Sequence, residues 1–154
     1  EEAKEELQTQ IEQKQAVINH GNLPVIQGIP FQIKQLFVNL VSNSLKYSKA
    51  GVPPIITISS IIIDAKDEPL LAEKHRGKFH KIVFQDNGIG FDNIYSEKIF
   101  QLFSRLHGKK EYEGTGIGLS ICKKIVENHK GGIFAEGQPE TGAKFIVFFP
   151  LNKR

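Results

Sequence analysis

Hydrophobic positions recur with a helical period in two parts of the chain. Between Pro30 and Tyr47 one side carries Ile33, Leu36, Phe37, Leu40, Val41 and Ser44, and two prolines follow shortly after. In Gly118–His129 the corresponding side carries Leu119, Cys122, Ile125, Val126 and His129. Spacings of three and four residues are typical of amphipathic helices, so we predict two core helices.

Stretches rich in β-branched and aromatic residues predict strands at Ile55–Ile63, Phe79–Gln85, Gly131–Glu136 and Ala143–Phe149. Ala16–Ile18 and Val25–Ile26, on either side of the turn-forming His20-Gly21-Asn22, predict a small hairpin. The polar stretch Asp64–Lys78 predicts a surface loop, and Glu97–Leu106 a helical patch. Helices alternating with these strands predict an α/β two-layer sandwich, with a mixed, mostly antiparallel sheet packed on helices.

The first fifteen residues are highly polar, with Ala3, Leu7 and Ile11 spaced four apart. A stripe this narrow does not stabilise an isolated helix. Two interpretations stay open: a frayed terminal helix, or the tail of a longer helix that pairs with something outside this chain.

Composition describes one ordinary domain of 154 residues, with 40% hydrophobic and 24% charged residues. The net charge of +3 is too small to indicate nucleic-acid binding. Cys122 is the only cysteine, so no internal disulfide forms, and a reducing compartment fits. Without an apolar run of about 18 residues or a signal peptide, we expect no membrane contact by this domain and a cytoplasmic location, whether the parent protein is soluble or membrane-bound. The absence of methionine indicates a fragment of a longer polypeptide.

Polar residues occupy the flank of the first predicted helix. Asn39, Asn43 and Lys46 fall within about 60° of one another around the helix axis. Asparagine lowers helix propensity, so two in mid-helix need a reason. An amide oxygen can ligate Mg²⁺ without adding charge, which suits an ion that also binds phosphates. Hydrogen bonds to a neighbouring loop would explain the asparagines equally well.

The segment Asp86-Asn87-Gly88-Ile89-Gly90 follows a predicted strand. Its aspartate can accept a hydrogen bond from an exocyclic amine, while the glycines let the backbone approach a flat ring. We expect this carboxylate to hold a ligand rather than to support the core. Asn-Gly also favours a hairpin, but a hairpin needs a second strand at once, and residues 91–106 do not supply one.

The segment Gly114–Ser120 runs straight into the last predicted helix. Glycines before a helix start leave free N–H groups and the positive end of the dipole facing outward, which favours phosphate. The segment lacks the Lys-Ser/Thr of a P-loop and the last glycine of a dinucleotide fingerprint. The preceding Arg105, His107, Lys109 and Lys110 form either a basic lid over phosphates or an ordinary charged loop.

In this order, the segments resemble the catalytic domain of sensor histidine kinases, in the GHKL superfamily that also contains DNA gyrase and MutL-type proteins. Gln35–Ser48 is similar to the asparagine box, Asp86–Gly90 to the first glycine box, Ile99–Leu106 to the phenylalanine box and Gly114–Ser120 to the second glycine box. The resemblance covers about Ala16 to Leu151 and implies the Bergerat-type ATP-binding fold. The short lid resembles that of phytochrome-like kinases.

The resemblance implies ATP and Mg²⁺ as ligands. By this likeness Asp86 would bind the adenine amino group, and Gly88 and Gly90 would shape the base pocket. Tyr47 would line the nucleotide site, and Asn43 would ligate Mg²⁺.

The resemblance also implies which residues contact the phosphates of ATP. Asn39 and Lys46 would touch them, and Arg105 would approach the γ-phosphate. The remaining implied nucleotide contacts are Lys109, Lys110, Gly114, Thr115, Gly116, Gly118 and Leu119.

Asn39 bears on the choice between kinase and ATPase. Hydrolysing superfamily members such as gyrase carry a glutamate one turn before the metal-binding asparagine, and Asn39 cannot act as a general base. The pattern therefore favours phosphoryl transfer to a protein. A GHKL ATPase and a non-catalytic nucleotide-binding or protein-binding module remain the alternatives.

The resemblance also implies a partner. None of the five histidines lies in the His-acid motif of the family's phosphoacceptor. We therefore expect residues 1–15 to end a dimerisation domain that bears this histidine, residues 16–154 to form the catalytic domain, and a response regulator to act downstream. The full-length protein would be a homodimer and this fragment a monomer. Ile29 replaces the family's usual aspartate, so we also expect the first long helix to lose its N-cap and fray.

Overall fold

The computed structural model describes residues 1–71, 75–101 and 118–151. Its helices are α1 (Glu2–Glu6), α2 (Gln8–Lys14), α3 (Pro30–Lys46) and α4 (Gly118–Asn128). Its strands are β1 (Val17–His20), β2 (Ile55–Asp64), β3 (Lys78–Asp86), β4 (Gly132–Gln138) and β5 (Gly142–Pro150). Short 3₁₀ turns lie at Ala65–Asp67, Asn93–Tyr95 and Lys98–Phe100.

The described strands form one sheet in the order β1-β2-β3-β5-β4, with every pair antiparallel except β1 and β2. This confirms the mixed, mostly antiparallel sheet packed on helices. The predicted hairpin is wrong, because Val17–His20 pairs in parallel with β2 and no strand follows at Val25, which is 95% exposed. Pairing with β2 brings Ile18 against the main core, which an isolated hairpin would not do.

The main core lies between the two long helices and one face of the sheet. Helix α3 buries Leu36, Leu40, Val41, Ser44 and Leu45. Helix α4 buries Cys122, Ile125 and Val126, and His129 is buried just beyond its end, as the period predicted; Leu119 is only partly buried.

The loop after β2 covers the other face of the sheet at one end. Ala65 and Leu71 are buried there with Phe79, Ile146 and Phe148. The predicted loop is present and most of its described residues are at least partly exposed, but Ala65 and Leu71 are buried. The cause is β5, which is apolar on both faces and needs cover on each.

The predicted helical patch at Glu97–Leu106 is wrong where it is described. Residues 98–100 form only a 3₁₀ turn, and residues 102–106 lie outside the described part. Phe100 packs edge-on against Phe145, with ring centroids 6.2 Å apart, so it is a packing residue.

A buried histidine binds the first backbone amide of α3, at its N-cap residue. The amide of Ile29, the N-cap residue, donates to His129 Nε2 at 3.0 Å, while His129 Nδ1 donates to the Ile125 carbonyl at 2.7 Å. A Cβ on Gly28 would lie 2.8 Å from the imidazole, so the glycine makes room for the ring. The Ile29 side chain makes no cap hydrogen bond, so the predicted loss of the usual N-cap is confirmed, and fraying stays a prediction.

The N-terminal segment packs on the domain. Leu7, between α1 and α2, is 4% exposed and belongs to the main core. Glu6 forms an ion pair with Lys34 of α3 at 3.3 Å. The interpretation as a frayed helix is therefore wrong; a continuation into a dimerisation domain stays a prediction.

Candidate functional site

The Asp86 carboxylate lies at the end of β3, between α3 and β5. Its Oδ1 accepts hydrogen bonds from the amides of Gly88 at 3.0 Å and Ala143 at 3.1 Å, and its Oδ2 accepts one from the Ser44 hydroxyl at 2.7 Å. A carboxylate oxygen accepts about two hydrogen bonds, so Oδ2 keeps an acceptor position for a ligand. These three bonds also show that the carboxylate supports the fold, and the expectation that it does not is wrong.

The two glycines of the Asp86–Gly90 segment allow close backbone approach. A Cβ on Gly88 would lie 2.4 Å from the Tyr47 carbonyl, which accepts the Ile89 amide at 2.9 Å. Gly90 has φ +67° and would bring a Cβ within 2.1 Å of the Gln138 carbonyl. The segment is therefore held against the end of α3 on one side and the β4–β5 turn on the other.

Helix α3 brings Asn39 and Asn43 to this end of the domain, and the two side chains differ in their hydrogen bonds. Asn39 Nδ2 donates to the Gly118 carbonyl at 3.3 Å, so a neighbouring segment does bind this asparagine. Within the described residues, the Asn43 side chain makes no hydrogen bond, and it is partly exposed. Its amide oxygen can therefore ligate an ion, and the exposed Lys46 supplies positive charge one turn further on.

The Asn39 contact joins two of the predicted segments. Gly118 is the first residue of α4 and the last glycine of the second glycine box, and the partly buried Leu119 follows it. The asparagine segment and the amino end of α4 are therefore neighbours.

Several predicted contacts lie outside the described residues and stay predictions. They are Arg105, Lys109, Lys110, Gly114, Thr115 and Gly116, together with His107 and the rest of the predicted lid.

Ser44 is a site residue that the sequence analysis missed. Its helical spacing predicted a position on the apolar side of α3, where it is indeed 4% exposed, and gave no sign of a chemical role. A hydroxyl in such a position must find an acceptor, and that requirement was the available signal.

Cys122 is a packing residue, as expected. Burial raises the pKa of its thiol to about 12, against a smaller lowering by the hydrogen bond with the Asn39 side chain. The neutral thiol is therefore the form in the folded protein, which makes it a poor nucleophile.

The described residues contain no cluster of three or more His, Cys, Asp or Glu side chains able to hold a metal ion. A metal near Asn43 would therefore need further oxygen ligands from a bound phosphate, a donor set that suits Mg²⁺. Among the same residues, no helix has the length and apolar character to span a membrane.

A family comparison agrees with this architecture. Residues 28–153 match the family described as histidine kinase-, DNA gyrase B- and HSP90-like ATPases. Because the match covers most of the chain, the chain belongs to this family.

Individual relatives show which members of this family the chain is similar to. The phytochrome-like protein Cph1 of Synechocystis sp. is 36% identical over 146 residues, which are 95% of this chain and 18% of that protein. This chain therefore spans less than a fifth of that relative. The resemblance to histidine kinase and phytochrome proteins is confirmed.

Solved structures confirm the fold. The mycobacterial sensor histidine kinase MprB matches with a TM-score of 0.75 and 19% identity, over 96% of this chain and 92% of that one. Full-length ShkA in complex with AMPPNP matches with a TM-score of 0.73 and 20% identity, over 97% of this chain and 28% of that one.

Proposed function

We propose that this chain is the ATP-binding catalytic domain of a sensor histidine kinase. It transfers the ATP γ-phosphoryl group to a histidine on a dimerisation domain of the same protein. The observation that carries the proposal is the Asp86 carboxylate, fixed by Ser44 and two backbone amides with one acceptor position left on Oδ2. The adenine amino group fits that position, and AMPPNP, which ShkA binds, is an ATP analogue.

Asn43 is the residue of this chain that would hold Mg²⁺. Its amide oxygen is a hard, neutral ligand, and no hydrogen bond in the described part of the chain competes for it. When bound, the ion would neutralise charge on the phosphates, and Lys46 would add to this from the exposed side of α3. The protein's own contribution is then to position the nucleotide.

Transfer is favoured over hydrolysis by the composition of α3. The helix Pro30–Lys46 contains no aspartate or glutamate, so it offers no general base for water. Asn39, at the position where the hydrolysing relatives have glutamate, donates its amide to Gly118. An ATPase and a non-catalytic nucleotide-binding module are the competing functions that an assay must exclude.

The proposed partners follow from the transfer reaction. The acceptor histidine lies on the dimerisation domain, residues 1–15 lead into that domain, and a response regulator receives the phosphoryl group. We place the domain in the cytoplasm, with no nucleic acid or membrane contact. The full-length protein is a homodimer and this chain alone a monomer.

The test is incubation of the chain with labelled ATP and Mg²⁺, alone and with a separate dimerisation domain that bears the histidine. Alone, the chain binds ATP without appreciable phosphate release or self-labelling. With the second domain, label appears on that domain, stable in base and labile in acid as phosphohistidine is. The Asp86→Asn chain is the inactive control. Robust phosphate release by the chain alone favours the ATPase, and label on His107 contradicts the assignment of the acceptor to another domain.

A further inference from the structure

Lys14 joins the N-terminal segment to the carboxyl end of α3. Its ammonium group donates hydrogen bonds to the Leu45 carbonyl and to Ser48 Oγ, the latter at 3.0 Å. The Ser48 hydroxyl donates to the same Leu45 carbonyl at 3.0 Å. The last carbonyls of a helix lack partners within the helix and carry the negative end of its dipole, so a cation is favourable there. Lys14 therefore caps α3 from a separate helix.

The turn that Lys14 caps also builds the proposed nucleotide site. Ser44 donates its hydroxyl to Asp86, and the Tyr47 carbonyl accepts the Ile89 amide. Fraying of this turn would release the carboxylate and the first glycine segment together. A chain with a frayed turn must order it again when nucleotide binds, which lowers the apparent affinity.

A second attachment of the N-terminal segment lies away from the site. The Glu6–Lys34 ion pair, next to the buried Leu7, holds the segment near the start of α3. Lys14 reaches Leu45 near the end of the same helix, so segment and helix run in the same direction. Only the Lys14 attachment contacts the turn of α3 that carries residues of the site.

We infer that Lys14 is a positioning residue of the nucleotide site, through which the N-terminal segment sets the affinity for nucleotide. The inference rests on the proposed function. Because coupling between two sites is reciprocal, bound nucleotide strengthens the Lys14 contact and slows amide hydrogen exchange in residues 8–15. A segment that only stabilised the fold would not respond to nucleotide in this way.

Three variants of the chain test the coupling. Lys14→Met removes the charge and keeps the apolar stem, Lys14→Arg keeps a cation, and Glu6→Gln removes the ion pair near the start of α3. The measurements are the ATP·Mg²⁺ affinity by calorimetry, on samples shown to be folded, and hydrogen exchange of residues 8–15 with and without nucleotide.

We expect Lys14→Met to weaken ATP·Mg²⁺ binding about two- to fivefold. This range is the stabilisation that a cation gives the carboxyl end of a helix, converted to a ratio of affinities. Lys14→Arg and Glu6→Gln keep the affinity of the unaltered chain. Bound nucleotide slows amide hydrogen exchange of residues 8–15 in the unaltered chain. In Lys14→Met, the exchange rate of these residues is the same with and without nucleotide.

Three results would each overturn the inference and leave the nucleotide site standing. The first is an unchanged ATP·Mg²⁺ affinity in Lys14→Met, and the second is a loss of affinity in Glu6→Gln equal to that in Lys14→Met. The third is amide hydrogen exchange of residues 8–15 that is the same with and without nucleotide in the unaltered chain. A loss in Lys14→Arg as large as in Lys14→Met would overturn the assignment to the cation. If the unaltered chain binds no ATP, the proposed function fails, and the inference with it.

Discussion

The Ser44 hydroxyl donates a 2.7 Å hydrogen bond to Asp86 Oδ2, which ties the buried side of α3 to the end of β3. The same oxygen keeps the acceptor position that we assign to the adenine amino group. Ser44 therefore helps to decide where that position points. Without it, two backbone amides would hold the carboxylate through Oδ1 alone.

The first prediction concerns Asp86→Asn. An asparagine oxygen can still accept hydrogen bonds from the Gly88 and Ala143 amides. Its NH₂ group, however, would face the adenine amino group, and both are hydrogen-bond donors. We expect ATP affinity to fall by about a hundredfold or more, because an unpaired polar group at a recognition site is strongly rejected. Charge-assisted hydrogen bonds become neutral ones, so unfolding free energy should fall by about 1–2 kcal/mol. Calorimetric titration and urea unfolding measure the two effects.

Asp92→Asn is the matched control for that variant. Among the described residues, the Asp92 carboxylate accepts only the Ile94 amide, at the start of a 3₁₀ turn, and it takes no part in the proposed site. This variant should bind ATP normally. An affinity of Asp86→Asn within a few-fold of the parent would disprove the adenine assignment.

The second prediction concerns Asn43→Ala. The variant should bind ATP without the strengthening that Mg²⁺ gives the unaltered chain, while metal-free ADP binds as before. Its unfolding free energy should change by less than about 0.5 kcal/mol, since the side chain makes no hydrogen bond in the described residues. ATP and ADP titrations with and without Mg²⁺ measure this. If Mg²⁺ strengthens ATP binding normally in the variant, another residue is the ligand.

The third prediction concerns His129→Leu. Leucine fills the buried space but leaves the Ile29 amide without its imidazole partner, while the Ile125 carbonyl keeps the His129 backbone amide as a donor. The loss of these imidazole hydrogen bonds should lower the unfolding free energy by about 1–2 kcal/mol. Urea unfolding measures the change, with the exposed His20→Leu as the control. A loss below about 0.5 kcal/mol would show that the imidazole does not hold the start of α3.

The fourth prediction concerns the pH dependence of Cys122. Its thiol pKa rises from 9.0 to about 12 on folding, so the folded chain holds this proton more tightly than the unfolded chain. The resulting stabilisation is complete below pH 9.0 and is lost as the pH rises toward about 12. At pH 8 a thiol reagent should label the folded chain far more slowly than the urea-unfolded chain. Equal labelling rates would show that the thiol is not buried as a neutral group.

Much of this domain could be predicted from short-range patterns. The helical period fixed α3 and α4 to within two residues at each end, and β-branched runs located β2, β3, β4 and β5. Asp86 could be proposed as a site residue because a strand followed by Asp-Asn-Gly is a local signal. Each of these signals lies within one element, where side chains a few residues apart share a face.

Only the tertiary structure decided the rest. Ile29 and His129 are 100 positions apart in the sequence, and Ser44 and Asp86 are 42 positions apart, so no local pattern predicts either hydrogen bond. The short apolar stretch Val17–His20 is compatible with a hairpin or with β2, and the better burial of Ile18 beside β2 selected the latter. The sequence determines which residues are apolar, periodic or able to bind a ligand. Which distant group satisfies each buried donor or acceptor is determined when the elements pack together, because that choice depends on the geometry of the whole domain.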